Sequence, residues 1–161
     1  MQNLIKNGAL ITDDAWVLVE DDSAKVSSTA ATILPLQRYQ ELSEAGNLPE
    51  QAAVWLNDEQ MPEDVADLLD NVKLVALHFP KFADGRSFSK ARLLRDRLGY
   101  QGEIRAIGDF LPDQVDYMTR CGVNAFACRT EREAETALSM LDTFSVHYQG
   151  AFNQTALFQQ R

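Results

Sequence analysis

Five short apolar runs alternate with stretches of helical periodicity along most of this chain, and that alternation restricts its fold more than any other feature. The runs lie at residues 31–34, 53–56, 74–79, 104–108 and 125–128. Their length and their Val, Ile, Leu, Ala and Phe content are typical of buried strands. The alternation predicts right-handed βα units and a mainly parallel sheet. About five units are too few for a closed barrel of roughly 250 residues, so we expect an α/β fold with an open sheet or a partial barrel.

Helical patterns fill the intervals between the runs. Apolar residues recur there at helical spacing, and glycine stands where several of the patterns end. The predicted helices begin near residues 38, 62, 88, 112 and 131, and Gly46, Gly99 and Gly122 terminate three of them. The last of these helices is predicted to cover about residues 131–144.

The N-terminal residues 1–20 predict a β-hairpin in front of the βα units. Asn7-Gly8, a dipeptide that readily adopts positive φ, separates two short apolar runs. A further strand is predicted at residues 16–19, and the polar residues 21–30 predict a loop. We expect residues 1–161 to form a single domain. The polar tail from residue 145 is expected either to be loosely ordered or to dock on a partner chain.

Composition excludes several classes of protein. The net charge of −9 argues against nonspecific binding of nucleic acid. No apolar run approaches the roughly 18 residues of a membrane span, and no secretory signal precedes the hairpin, so we expect a cytoplasmic protein. Two cysteines and two histidines predict neither a disulfide framework nor a zinc or haem site. No metal is therefore predicted.

The charge is unevenly distributed along the chain. Residues 81–105 contain seven of the fifteen basic residues and only three acidic ones, a net charge of +4. The remainder of the chain carries −13. A basic segment on an acidic protein attracts an anionic ligand or an acidic partner protein, although it is equally typical of a solvated helix face with local ion pairs.

The loop after the third apolar run contains the most distinctive candidate site. Ligands bind at the carboxyl ends of parallel strands, and Asp84-Gly85-Arg86-Ser87 stands at such an end, directly before a helix. Gly85 permits a close approach, Ser87 or Ser89 could cap the helix, and Arg86 could bind an oxyanion through two N–H groups. The alternative is that Asp84 and Arg86 pair with each other and shape the loop.

Further candidates follow the fourth run. Arg105 lies inside that run, where it is either a ligand-binding residue or part of an ion pair with Glu103, because the two project from the same side of a strand. Asp109 and Asp113, like Asp84, could serve as acid–base groups, while Asp113 could equally stabilise a helix dipole. The catalytic candidates are Asp84, Asp109 and Asp113, and the ligand-binding candidates are Arg86, Ser87, Ser89, Arg105 and Gln114.

Several short motifs form a pattern that resembles a known bacterial family of unknown function. They are Phe79-Pro80-x-Phe82-x-Asp84-Gly85-Arg86, Ser89-x-Ala91-x-x-Leu94-Arg95, Gly102-Glu103-x-Arg105-Ala106-x-Gly108-Asp109, Asp113-Gln114 and Arg120-Cys121-Gly122. Members of that family are often encoded beside the sulfite reductase haemoprotein and are commonly labelled oxidoreductases of sulfite reduction. This chain differs from the usual pattern at His78, where an acidic residue is common, and at Val123, where an aromatic residue is common.

The resemblance implies a role in sulfite reduction and sulfur assimilation. The chain lacks a dinucleotide-binding fingerprint and a cysteine cluster for iron–sulfur ligation, so no cofactor is predicted. We therefore expect an accessory or anion-binding protein that acts with a sulfite reductase subunit or a small oxyanion. The alternative is an enzyme on a small anionic substrate, with Arg86 and Arg105 as anchors. A homodimer formed through the hairpin or the tail is compatible with either function.

Overall fold

The computed structural model describes residues 3–21 and 26–141 and contains one sheet of eight strands. The strands are β1 (Leu4–Lys6), β2 (Ala9–Ile11), β3 (Val17–Leu18), β4 (Thr32–Pro35), β5 (Ala52–Leu56), β6 (Leu74–Phe79), β7 (Glu103–Gly108) and β8 (Ala125–Ala127). The helices are α1 (Leu36–Glu44), α2 (Arg86–Asp96), α3 (Val115–Cys121) and α4 (Glu131–Leu141), with 3₁₀ helices at Pro62–Leu68 and Pro112–Gln114. The predicted α/β class is confirmed.

The predicted N-terminal hairpin is also confirmed. β1 pairs antiparallel with β2, and Asn7 and Gly8 turn between them with φ of 50° and 76°. Two successive positive φ angles match the right-handed twist of the flanking strands, which is why Asn-Gly favours this turn. β1 also pairs antiparallel with β8, so the hairpin extends the sheet beyond its last parallel strand.

The other strands lie side by side in chain order. β3 to β8 form a parallel array, and β4 to β8 are each followed by helical structure, which gives the five predicted βα units. Each right-handed connection moves the chain one strand further in the same direction, so the helices all pack on the same face of the sheet. The strand predicted at residues 16–19 is β3, which pairs with β4 at the edge opposite the hairpin.

Chain connectivity requires the sheet to curl. β2 and β3 form its two edges, yet only residues 12–16 connect them. Six extended Cα steps reach at most about 20–22 Å. The edges of a flat eight-stranded sheet would lie about 33 Å apart at the usual strand spacing. The sheet is therefore an open half-barrel, which decides between the two architectures that periodicity leaves open.

Residues 12–16, which we call the strap, lie across the concave face of this half-barrel. The convex face packs against the helices and forms the main apolar core. The concave face carries a smaller apolar cluster, against which Trp16 of the strap packs. The buried members of that smaller cluster are Ile33, Ala53, Leu74, Ala76 and Ile107. The strap thus covers a sheet face against which no helix of residues 3–21 and 26–141 packs.

Two helical segments differ from their predicted form, and the end of a third lies outside the described residues. The segment after β5 is a 3₁₀ helix, in which the Asp64 carboxylate accepts a hydrogen bond from the Met61 N–H at 2.7 Å. This bond from the N-cap N–H to the N3 side chain satisfies a free donor at the start of the segment. The segment predicted from Pro112 is divided into a 3₁₀ turn and α3. α4 is described to Leu141, so the predicted end at 144 and the tail from 145 lie outside the described residues.

In the part of the chain that the structure describes, no helix has the length and apolar content needed to cross a bilayer.

Candidate functional site

The loops that leave β5 and β6 are joined by the Arg86 side chain. Its Nε lies 3.0 and 3.1 Å from the two carboxylate oxygens of Asp84, and its Nη2 lies 2.7 Å from Asp58 Oδ2. Asp84 belongs to the loop after β6, and Asp58 to the loop after β5. The candidate pair Asp84 and Arg86 is thus brought together, and the carboxylate of Asp58, which was not predicted to be a site residue, joins it.

Asp84 also occupies the start of α2. Its Oδ1 accepts the Arg86 backbone N–H at 3.1 Å, so a carboxylate of the chain itself stands where an oxyanion was predicted. Hydrogen bonds from Arg86 lower the pKa of Asp84 to about 2. The same pairing raises the pKa of Arg86. These contacts correspond to the alternative in which Asp84 and Arg86 shape the loop.

The two candidate serines have different surroundings. Ser87 is buried, and its hydroxyl donates to the His78 carbonyl at 2.9 Å, which fastens α2 to β6. Ser89 is exposed. The prediction that one of them caps α2 is wrong, because the helix begins at Arg86 and Gly85 occupies its N-cap without a side-chain bond.

Lys90 is a buried residue of α2 that holds the loop after β5 against this helix. Its Nζ donates to the carbonyls of Asn57 at 2.6 Å and Asp58 at 3.0 Å, and the residue is only 2% exposed. Burial lowers the pKa of this lysine. Sequence reasoning placed Lys90 in the basic segment without giving it a role. Lys90 follows Arg86 by four residues, so the two lie on one face of α2. This spacing is the feature of the sequence that indicates a shared role for them.

A second ion-pair cluster lies between the loops after β7 and β8. Arg129 donates to Asp109 Oδ1 at 2.8 Å and to Glu133 Oε1 at 2.9 Å. The hydrogen bond from Arg129 lowers the pKa of Glu133. Asp109 is therefore paired with Arg129, a strand-end residue that was not predicted to be part of the site. Asp113, by contrast, is exposed and forms no hydrogen bond or ion pair with the described residues.

Gln114 connects the loops of β6 and β7 through both ends of its amide. Its Nε2 donates to the Phe82 carbonyl at 2.9 Å, and its Oε1 accepts the Leu111 N–H at 3.0 Å. The amide oxygen and the amide nitrogen each therefore have a backbone partner, and together they hold the two neighbouring loops in place.

Arg105 lies elsewhere, in the middle of β7 on the concave face. It is fully buried, and its two Nη atoms contact the two carboxylate oxygens of Asp14 at 2.9 and 3.0 Å. Its Nε donates to Glu103 Oε1 at 2.6 Å, and Glu103 in turn pairs with Lys6 at 2.7 Å. The predicted Glu103–Arg105 pair is present. This network fastens the strap and the hairpin to the sheet.

The electrostatics of Asp14 reflect its position in that network. Burial raises the pKa of this carboxyl, but the hydrogen bond and positive charge of Arg105 outweigh burial, and the net pKa is lowered. The strap is thus attached through an ionised carboxylate and a guanidinium, both largely removed from solvent.

Both cysteines are free and buried. Burial raises the pKa of the Cys121 thiol, and it raises the pKa of Cys128 to about 11. A thiolate is the nucleophilic form of cysteine, so neither environment favours nucleophilic chemistry.

A cavity of about 480 Å³ lies at the far end of the sheet, between the hairpin turn and the end of α3. The guanidinium of Arg95 lines it, but this group already donates to the carbonyls of Gly122, Tyr100 and Gly102 at 2.6 to 3.0 Å. The cavity is thus separate from the strand-end loops that contain the candidate site residues.

A known protein family matches most of the chain whose fold and loops are described above. A family model described as "Bacterial protein of unknown function (DUF934)" matches residues 53–158, more than half of the chain. This chain belongs to that family. The DUF934 segment includes both arginine–carboxylate clusters and Arg105, whereas Asp14 and the hairpin precede it. No curated protein matches the chain.

Proposed function

We propose that this protein is a non-redox accessory protein of sulfite reduction that acts by docking on a sulfite reductase subunit. The observation that carries the proposal is the pairing at the strand ends. Arg86 connects Asp84 with Asp58, and Arg129 connects Asp109 with Glu133. These loops form a braced polar surface in which Asp84, Arg86 and Asp109 already have partners. The sulfur-metabolism part of the proposal derives from the motif resemblance.

The pKa of Asp84 argues against general-acid catalysis by this carboxyl. A general acid is most effective when its pKa lies near the working pH. Asp84 has a pKa of about 2 and remains ionised, so it is a poor proton donor at neutral pH. The Ser87 hydroxyl donates to a backbone carbonyl, and the pKa values of both thiols are raised.

Two measurements test the proposed function. We expect the purified protein to bind the sulfite reductase haemoprotein, and a deletion strain to grow poorly with sulfate as its sole sulfur source. Normal growth of that strain would overturn the role in sulfite reduction.

Complementation distinguishes an accessory protein from an enzyme. Asp113→Asn is expected to restore growth of the deletion strain, because docking does not require this exposed carboxylate as a proton donor. If a folded, haemoprotein-binding variant fails to restore growth, the enzymatic alternative is favoured.

A further inference from the structure

Two aromatic side chains are exposed where α3 approaches the loop after β6. Phe82 on that loop is 51% exposed, and Tyr117 on α3 is 54% exposed. The half-buried Phe88 of α2 contacts the Tyr117 ring with centroids 5.3 Å apart. We call Phe82, Phe88 and Tyr117 the aromatic shoulder. Exposed aromatic residues grouped in this way are typical of protein–protein interfaces.

The aromatic shoulder is rigidly supported. Phe88 packs edge-on against Phe79, with ring centroids 5.5 Å apart, and Phe79 contacts the buried Phe110 at 6.2 Å. The Gln114 amide ties the Phe82 carbonyl to the start of α3. A surface that is already ordered loses little conformational entropy when a partner binds. Its aromatic residues are therefore suited to act as binding anchors.

Basic side chains border this surface. Arg92 follows Phe88 by four residues on α2, so the two lie on one helix face. Arg120 follows Tyr117 by three residues on α3 and shares a face with it in the same way. Lys81 directly precedes Phe82 in the chain. Arg92 forms an exposed i,i+4 pair with Asp96, an interaction weak enough for a partner carboxylate to replace it. Phe82, Phe88 and Arg92 all belong to the +4 segment of a chain whose remainder carries −13.

We infer that the aromatic shoulder is the docking surface for a protein partner that presents an apolar pocket edged by carboxylates. Aromatic residues provide the buried anchors of such an interface, and arginine provides complementary charge at its border. The inference rests on the proposed function, which supplies the sulfite reductase haemoprotein as the partner with which it is tested.

The test compares exposed apolar residues on and off the aromatic shoulder. Affinity of the full chain for the haemoprotein is measured for Phe82→Ser and Tyr117→Ser. Val17→Ser and Met61→Ser are the matched controls, since those side chains are 53% and 46% exposed elsewhere. We expect each shoulder variant to weaken binding by about tenfold or more, while the controls change it by less than about twofold.

A second pair of variants tests the charge component without altering the aromatic residues. Arg92→Glu and Arg97→Glu make the same charge change, the first on α2 and the second at its C-cap. Arg97 is exposed and pairs with Glu63 away from the aromatic shoulder. We expect Arg92→Glu to weaken binding more than Arg97→Glu, and the difference to shrink at high salt. Unchanged melting temperatures confirm that the variants are folded.

The outcomes separate the two proposals. If the wild type binds and the shoulder variants bind equally well, the docking surface is wrong while the accessory role stands. If the wild type does not bind, the accessory role fails and the docking surface fails with it. If sedimentation shows that Phe82→Ser or Tyr117→Ser dissolves a self-association, the aromatic shoulder contacts a second copy, and the inferred partner is wrong.

Discussion

Single arginine residues organise the polar parts of this protein. Arg86 joins two strand-end loops, Arg129 joins a loop to α4, and Arg105 fastens the strap to the sheet. The planar guanidinium group presents several donors at once, which lets one residue bridge two carboxylates. Lysine at these positions would lack that fork geometry. The exposed clusters around Arg86 and Arg129 hold the surface loops in place, whereas the buried cluster around Arg105 fixes the path of the strap.

The lowered pKa of Asp84 makes the stability contribution of its pair pH-dependent. Because the folded-state pKa is about 2, the pair stabilises the fold above the usual aspartate value. That stabilisation is lost as the pH falls from about 4. We expect Asp84→Asn to lower the free energy of unfolding at pH 6, and its difference from the wild type to shrink toward pH 2.

Denaturant titrations of the wild type and the variant across this pH range provide the measurement. Asp113→Asn is the control, since Asp113 is exposed and has no pairing with the described residues. A difference between wild type and Asp84→Asn that does not depend on pH would contradict the ion-pair explanation.

At the scale of elements, the end of β7 depends on a glycine. Gly108 has φ of 93°, and the next residue, Asp109, donates its N–H to the Phe79 carbonyl at 2.7 Å. A Cβ at position 108 would lie 2.5 Å from that same carbonyl oxygen. Glycine therefore permits the close alignment of the β6 and β7 ends that brings Asp109 to Arg129.

Two glycine substitutions separate backbone strain from steric collision. Gly99 also has positive φ, 66°, but a Cβ there would meet nothing within 4 Å. We expect Gly99→Ala to lower the free energy of unfolding by about 1 kcal/mol. Gly108→Ala should cost at least about 1–2 kcal/mol more, because the backbone must move as well. Equal losses in chemical denaturation would show that the close approach to Phe79 is unimportant.

At the scale of the whole molecule, the strap fixes the curvature of the sheet. Residues 12–16 connect the two edges, and their contacts with the concave face include the bidentate pair between Asp14 and Arg105. Trp16 packs against the apolar cluster on the same face. The short connection and its buried ion pair together keep the half-barrel curled and its inner face covered.

Removing the Asp14 carboxylate should weaken the whole fold. We expect Asp14→Ala to lower the free energy of unfolding by about 3 kcal/mol, since it leaves the buried guanidinium of Arg105 with a missing partner. The summed tryptophan emission should shift to longer wavelength, because Trp16 leaves the apolar cluster as the strap loosens. Denaturant unfolding and native-state fluorescence provide the two measurements.

The neighbouring residue offers a matched control for this prediction. Asp13 is exposed, and Asp13→Ala is expected to change the free energy of unfolding by less than about 0.5 kcal/mol. Adding Arg105→Met to Asp14→Ala should recover part of the loss, because it removes the buried charge. If the Asp13→Ala and Asp14→Ala variants have equal free energies of unfolding, the strap is not held by the ion pair between Asp14 and Arg105.

Local patterns in the sequence determined the elements of this protein. The five apolar runs, the Asn7-Gly8 turn and the glycines that end helices identify strands, hairpin and helices because each signal acts over a few residues. The ion pair between Glu103 and Arg105 was predictable for the same reason, since two residues separated by one position share a face of a strand.

Only the tertiary structure decided which distant residues meet. Asp14 is 91 positions from Arg105, and Asp58 is 28 positions from Arg86. Such contacts depend on strand order and on curvature, which periodicity leaves open. The half-barrel follows from a five-residue strap joining the two edges of the sheet, and no local signal reveals that these strands are the edges. The loop around Arg86 was identifiable from sequence, whereas the partners of Arg86 were not.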